Sequence, residues 1–112
     1  MAKIIYNRLI PFKGFRAMAL VWWIFVRSEV KDFNDTDERH EEIHIKQQKE
    51  MLVLFFFLWY TVEWLVRIVI YRKTKTAYKN ISFEREAYAH QSDTEYLETR
   101  KHYSFIKYIN KW

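Results

Sequence analysis

Apolar and polar positions divide the chain into a β-rich beginning and a helical remainder. Residues 3–10 are rich in β-branched and aromatic types, and the proline and glycine that follow them predict a strand and then a turn. Residues 15–27 form a second apolar run. Its aromatic end, residues 22–26, favours a strand, whereas residues 17–20 would suit a helix equally well. We therefore expect strands within residues 3–27.

A helix is predicted after the polar cluster at residues 34–37, where Asp35 or Thr36 can cap its first turn. No glycine or proline interrupts the stretch that follows, so residues 36–72 are expected to be helical.

Residues 73–80 are basic and polar and predict a connector. We then expect a short helix opened by Ser82 and a last helical piece, which together cover residues 82–110. The apolar side chains of the last piece are expected to pack back onto the core: Tyr96, Leu97, Tyr103, Phe105, Ile106, Tyr108 and Ile109.

Residues 51–70 are apolar on nearly every side, which is typical of a helix that is buried or in contact with lipid. One straight helix over residues 38–72 would be ~50 Å long, whereas a compact domain of this size is ~35 Å across. We therefore expect a break near Trp59–Glu63 that makes a hairpin. The apolar run that starts at Met51 exceeds what one face of so small a domain can bury, so the excess is expected to meet lipid or a second copy of the chain.

Composition narrows the classes of function. At 112 residues the chain has room for one domain, residues 1–112, and it contains no cysteine, which excludes disulfides and thiol nucleophiles. The net charge is +5, but acidic residues are spread throughout, so nucleic acid is not an expected partner. The beginning of the sequence lacks a secretory signal pattern, which predicts a cytoplasmic protein or one on the cytoplasmic side of a membrane.

Residues 40–44 spell His-Glu-Glu-Ile-His, an HExxH motif just inside the predicted helix. Side chains four residues apart lie on one helix face, so His40 and His44 can aim imidazole nitrogens at one ion. Zinc accepts such nitrogens, and in catalytic sites it keeps a position open for water. Glu41 is placed to act as general base toward that water. The alternative is that the two histidines line the polar face of a solvated helix.

A catalytic zinc needs a third protein ligand, and residues 82–88 (Ser-Phe-Glu-Arg-Glu-Ala-Tyr) contain the best local match. Together with the HExxH motif, this segment resembles the gluzincins, zinc peptidases whose third ligand is a glutamate on a separate helix. In relatives of the CAAX-prenyl-protease type the segment runs Glu-x-x-Ala-Asp. The resemblance therefore implies Glu84 as the ligand, with Glu86 as the alternative; His90 would instead give a three-histidine site. Tyr88 stands where those relatives have aspartate.

The resemblance, which extends to the very small members of the clan, implies an α+β fold. A small N-terminal sheet would precede a mainly helical part that carries HExxH on a long helix and the glutamate on a helix downstream. It also implies an edge strand that holds an extended peptide above the metal, which residues 15–27 would supply. A Tyr or His would stabilise the oxyanion, and the candidates are Tyr88, His90, His102 and Tyr103.

The sequence therefore predicts a zinc-dependent metallopeptidase with Zn²⁺ as cofactor and a peptide or protein as substrate. The alternative is a non-enzymatic, membrane-associated helical protein, or an inactive relative, without bound metal. Membrane contact would run through residues 51–70, and a homo-oligomer is a further alternative.

Overall fold

A computed structural model describes residues 2–11 and 14–109. The elements follow one another along the chain as β1 (Lys3–Asn7), β2 (Ala17–Leu20), β3 (Trp23–Arg27), α1 (Asp35–Glu50), α2 (Leu54–Tyr71), α3 (Thr74–Lys79), α4 (Ser82–His90), α5 (Tyr96–Thr99) and a 3₁₀ helix (Ser104–Tyr108). A small sheet followed by a mostly helical part is the α+β arrangement that the sequence predicts, and the predicted fold class is confirmed.

The sheet has the order β1-β3-β2, with β1 parallel and β2 antiparallel to β3. β2 and β3 form a hairpin, so residues 17–20 are a strand and not a helix, and β2 is an edge strand. β1 ends earlier than the predicted residue 10. The Asn7 side chain accepts hydrogen bonds from the backbone N–H groups of Leu9 and Ile10, which turns the chain away from the sheet.

Asn34 caps α1, rather than the predicted Asp35 or Thr36. The Asn34 side chain accepts a bond from the Asp37 N–H, and the Asp37 carboxylate accepts one from the Asn34 N–H, which makes a capping box. Asn34 has the extended backbone that a cap requires, whereas Asp35 and Thr36 are already the first two residues of the helix.

The long helical segment is interrupted at residues 51–53, and the predicted break near Trp59–Glu63 is wrong. Leu52 and Val53 have positive φ angles of 55° and 56°, which ends the α1 hydrogen-bond ladder before α2 begins. α2 continues without a break through residues 59–63 because its two charged residues, Glu63 and Arg67, pair with each other in the interior.

Only one side of α2 packs against the rest of the protein, and the opposite side is exposed. It is long and apolar enough to cross a membrane by length and composition alone, and 17% of it is buried. Its inner side contributes Phe56 to a cluster with Ile81, Phe83 and Phe105.

The remaining segments differ from the prediction in two places. Residues 73–80 were expected to be a connector, but α3 forms there and buries Ala77. In the C-terminal part Tyr96 and Phe105 are buried as predicted, whereas Tyr103 and Ile106 are exposed. Residue 110, the end of the predicted helical piece, lies outside the described residues.

Candidate metal centre

Two elements, α1 and α4, bring three ligand-type side chains together. His40 and His44 lie one turn apart on the buried side of α1, and Glu84 faces them from the first turn of α4. The two Nε2 atoms are 3.2 Å apart. Glu84 Oε1 is 3.0 Å from His40 Nε2, and Glu84 Oε2 is 3.1 Å from His44 Nε2. All three residues are buried, and this group could bind a metal ion.

The hydrogen-bond partners of the outer ring nitrogens set the tautomers of both histidines. The Gln47 amide nitrogen donates to the Phe83 carbonyl and to Glu86, so its oxygen faces His44 Nδ1 at 2.8 Å. Because an amide oxygen only accepts, Nδ1 carries the hydrogen, and in the neutral ring Nε2 has a free lone pair. Gln91 Oε1 lies 2.6 Å from His40 Nδ1 and favours the same tautomer there.

Two lone pairs and a carboxylate that point at one another require a cation between them. Burial alone would lower the pKa of His44, but the Glu84 carboxylate beside it raises that pKa to about 9. Burial alone would raise the pKa of Glu84, but the two imidazoles hold it well below its usual range. The cluster therefore retains a positive charge, as a proton or as a metal ion.

A buried network of charged and polar side chains lies next to the cluster and holds Gln47 in place. Glu86, the alternative ligand, does not face the histidines. Its carboxylate accepts bonds from Gln47, from the Tyr96 hydroxyl and from Arg100. The Arg100 guanidinium also binds both oxygens of Glu50, the last residue of α1. Glu86 thus fixes the orientation of the amide that holds His44.

Glu41 is buried beside the cluster and lines two cavities. The first, of about 360 Å³, also touches His44 and Glu84 and is otherwise mainly apolar; the second, of about 290 Å³, touches His40 and Tyr88. Burial raises the pKa of the Glu41 carboxyl above its ordinary value, although both histidines oppose the shift. A carboxyl in that state is suited to accept and return a proton.

Of the four predicted oxyanion donors, the structure brings Tyr88 to the cluster. Its ring lies 4.5 Å from the His40 ring, centre to centre, and burial and Glu84 raise its pKa to about 12, so the phenol stays protonated. His90 stacks on Tyr96 and bonds to Tyr108 instead. His102 is exposed beside Glu50, and the Tyr103 hydroxyl donates to the Glu50 carbonyl.

The sequence did not single out Gln47, Gln91 or Tyr60. The Tyr60 hydroxyl donates to Glu84 Oε2 at 2.7 Å, from α2. Gln47 follows His44 by one helical turn, and that spacing could have indicated it. Gln91 and Tyr60 are far from their partners along the chain, so no local signal was available.

Glu42, inside the HExxH motif, and Lys46, two residues after it, stand where the usual pattern has an uncharged and an apolar residue. Lys46 is exposed, and the half-buried Glu42 accepts a hydrogen bond from the Ala2 N–H.

Comparisons with protein-family models, with curated proteins and with solved structures found no match.

Proposed function

We propose that this chain is a zinc-dependent metallopeptidase in which His40, His44 and Glu84 hold the metal and Glu41 is the general base. The observation that supports this best is the spacing of the ligand atoms. A tetrahedral zinc with bonds of ~2.0–2.1 Å separates its ligand atoms by about 3.3 Å. The two Nε2 atoms lie 3.2 Å apart, and each lies 3.0 or 3.1 Å from a different oxygen of Glu84. Two imidazoles with one carboxylate leave a fourth position for water.

The chemistry follows from the neighbours of the cluster. His40, His44 and Glu84 would hold the zinc ion, which would polarise a peptide carbonyl and lower the pKa of its bound water to ~7. The Glu41 carboxylate takes the proton from the attacking water and returns it to the leaving amine. Tyr88 is the donor that we assign to the carbonyl oxygen as it becomes negative.

Substrate binding is assigned to β2 and to the apolar cavity beside it. The Arg27 N–H donates to the Arg16 carbonyl, and backbone groups alternate in direction along an antiparallel pair, so those of Ala17 and Ala19 point away from β3. Gln48 already occupies the Ala19 carbonyl, which leaves the Ala17 end of the edge for an extended peptide. The cavity next to it is lined by Phe56, Phe57, Tyr60 and Trp64, which favours substrates with an apolar side chain near the bond that is cut.

Zinc content tests the proposal. Wild type, His44→Ala and His102→Ala would be purified without added metal, equilibrated with Zn²⁺ and analysed by atomic emission. We expect about one zinc per chain for the wild type and almost none for His44→Ala, because a catalytic site needs all three protein ligands. His102 is exposed and away from the cluster, so His102→Ala is the matched control and should bind zinc like the wild type.

The same samples would be incubated with a peptide library, and the products identified by mass spectrometry. Cleavage by the wild type and by His102→Ala, but not by His44→Ala, is the expected result. Equal metal content in all three proteins would overturn the metal site. Stoichiometric zinc without cleavage of any peptide would leave the metal site in place and overturn the peptidase.

A further inference from the structure

The polarity of α2 is reversed relative to that of a helix on the surface of a water-soluble protein. Its two charged residues, Glu63 and Arg67, are both buried, and they bond to each other at 2.8 Å. Many of its large apolar side chains instead point outward, from the first turn of the helix to the last. Six of them define what we call the outer face: Leu54, Phe55, Leu58, Val62, Leu65 and Val69.

The outer face is continuous and carries no charge. From Phe55 onward its residues recur at intervals of three and four, and Leu54 lies four residues before Leu58, so the six form one stripe along the helix. Each is at least 52% exposed. Water is a poor solvent for such a stripe, and contiguous exposed apolar surface of this kind marks a contact with another apolar phase.

The charges next to the outer face indicate which phase that is. Arg72 and Lys73 follow α2 directly and are exposed. A second copy packed parallel along α2 would bring two such basic groups together. An antiparallel copy would place them against residues 51–62, which contain no acidic residue. A bilayer with anionic headgroups offers both an apolar phase and the opposite charge.

The contacts on the inner side of α2 favour a helix that lies along a bilayer over one that crosses it. Tyr60 bonds to Glu84, and Glu63 accepts bonds from the N–H and hydroxyl of Ser82. These contacts attach the rest of the protein along the middle of the helix, so a spanning α2 would draw polar surface into the hydrocarbon.

We propose that the outer face of α2 inserts into the surface of an anionic bilayer with the helix axis in the membrane plane. The basic residues at its end contact the lipid headgroups. The metal cluster then faces away from the lipid, on the opposite side of α2, because Tyr60 joins that side to Glu84. This binding does not depend on the metal or on peptidase activity.

Flotation of the full chain with vesicles tests the proposal. Two preparations would be compared: phosphatidylcholine alone, and phosphatidylcholine mixed with phosphatidylserine. We expect stronger binding to the mixed vesicles. Leu58→Glu with Leu65→Glu should weaken binding to them at least about tenfold, because it places two charges on the inserted face. Thr94→Glu with Thr99→Glu adds the same charge at exposed sites outside α2 and should leave binding unchanged.

A second variant, Arg72→Gln with Lys73→Gln, tests whether the basic residues contact the lipid headgroups. Each basic residue near an anionic surface contributes about fivefold to binding, so the pair should reduce binding to the mixed vesicles about 25-fold. Circular dichroism and zinc content of the same samples would report on folding and on the metal site separately. The proposal would be overturned if the wild-type protein floated with neither of the two vesicle preparations. A soluble wild-type dimer that Leu58→Glu with Leu65→Glu dissociates would also overturn it.

Discussion

The side-chain oxygen of Gln47 lies 2.8 Å from Nδ1 of His44, one helical turn earlier in α1. This bond leaves Nε2, the nitrogen that faces Glu84, free to bind a metal. The Gln47 amide cannot rotate to the opposite orientation, because its nitrogen donates to the Phe83 carbonyl and to Glu86. The tautomer of His44 is therefore determined by residues from two helices.

Gln47→Met should weaken zinc binding by about 10- to 100-fold. The thioether has a similar length but offers no comparable acceptor to Nδ1, so His44 loses the partner that orients it. The dissociation constant for Zn²⁺ would be measured by competition with a chromophoric chelator.

Gln48→Met is the matched control, because Gln48 is buried next to Gln47 but bonds to Ala19 and Val21 of the β2–β3 hairpin. Its zinc affinity should equal that of the wild type while its unfolding midpoint falls. Equal affinity in both variants and the wild type would show that Gln47 does not orient His44.

Glu41→Gln should retain zinc and slow peptide cleavage at least about a hundredfold. The amide is close in shape to the carboxylate but cannot take a proton from water, and general-base groups contribute roughly 10²- to 10⁴-fold to such reactions. Single-turnover cleavage and zinc content would be measured on the same preparation.

Glu42→Gln is the control for Glu41, since Glu42 is half-buried and bonds to the Ala2 N–H, away from the cluster. Cleavage by Glu42→Gln should stay within a few-fold of the wild type. A wild-type rate for Glu41→Gln would remove Glu41 from the role that we assign to it.

The capping box of α1 predicts different effects for two neighbouring polar residues. Asn34→Ala removes the acceptor of the Asp37 N–H and should lower the free energy of unfolding by ~1 kcal/mol, or the melting temperature by about 4 °C or more. Thr36→Ala, which lies inside the helix, should change stability by less than about 0.5 kcal/mol. Thermal unfolding followed by circular dichroism would measure both, and a larger loss for Thr36→Ala would contradict the assignment of the cap.

The sequence predicted the parts of the structure that depend on short-range periodicity. His40 and His44 share a helix face because they are four residues apart, and the helix that carries Glu84 follows from the residues around it. The partners that come from distant segments were not predictable. Tyr60 is 24 residues from Glu84, and Gln91 is 51 residues from His40.

The end of α1 was also beyond the sequence, for a different reason. Helices commonly end at glycine, asparagine or proline, and none of these occurs near Leu52 and Val53. Both residues take positive φ angles that large or β-branched side chains rarely adopt. Composition likewise could not tell which side of α2 faces outward, because that depends on where Glu63 and Arg67 find their partners.

Glu63 joins α2 to the beginning of α4 and is itself held by Arg67. The Glu63 carboxylate accepts bonds from Arg67, Trp59, and the N–H and hydroxyl of Ser82. Arg67→Met should lower the free energy of unfolding by about 3–5 kcal/mol, because removal of one partner leaves a buried carboxylate without its counter-charge.

The double variant Glu63→Gln with Arg67→Met removes both charges, so it should be more stable than Arg67→Met alone. Urea unfolding would compare the four proteins of this cycle, including Glu63→Gln. If the losses in unfolding free energy of the two single variants add up to that of the double variant, the two charges do not stabilise each other.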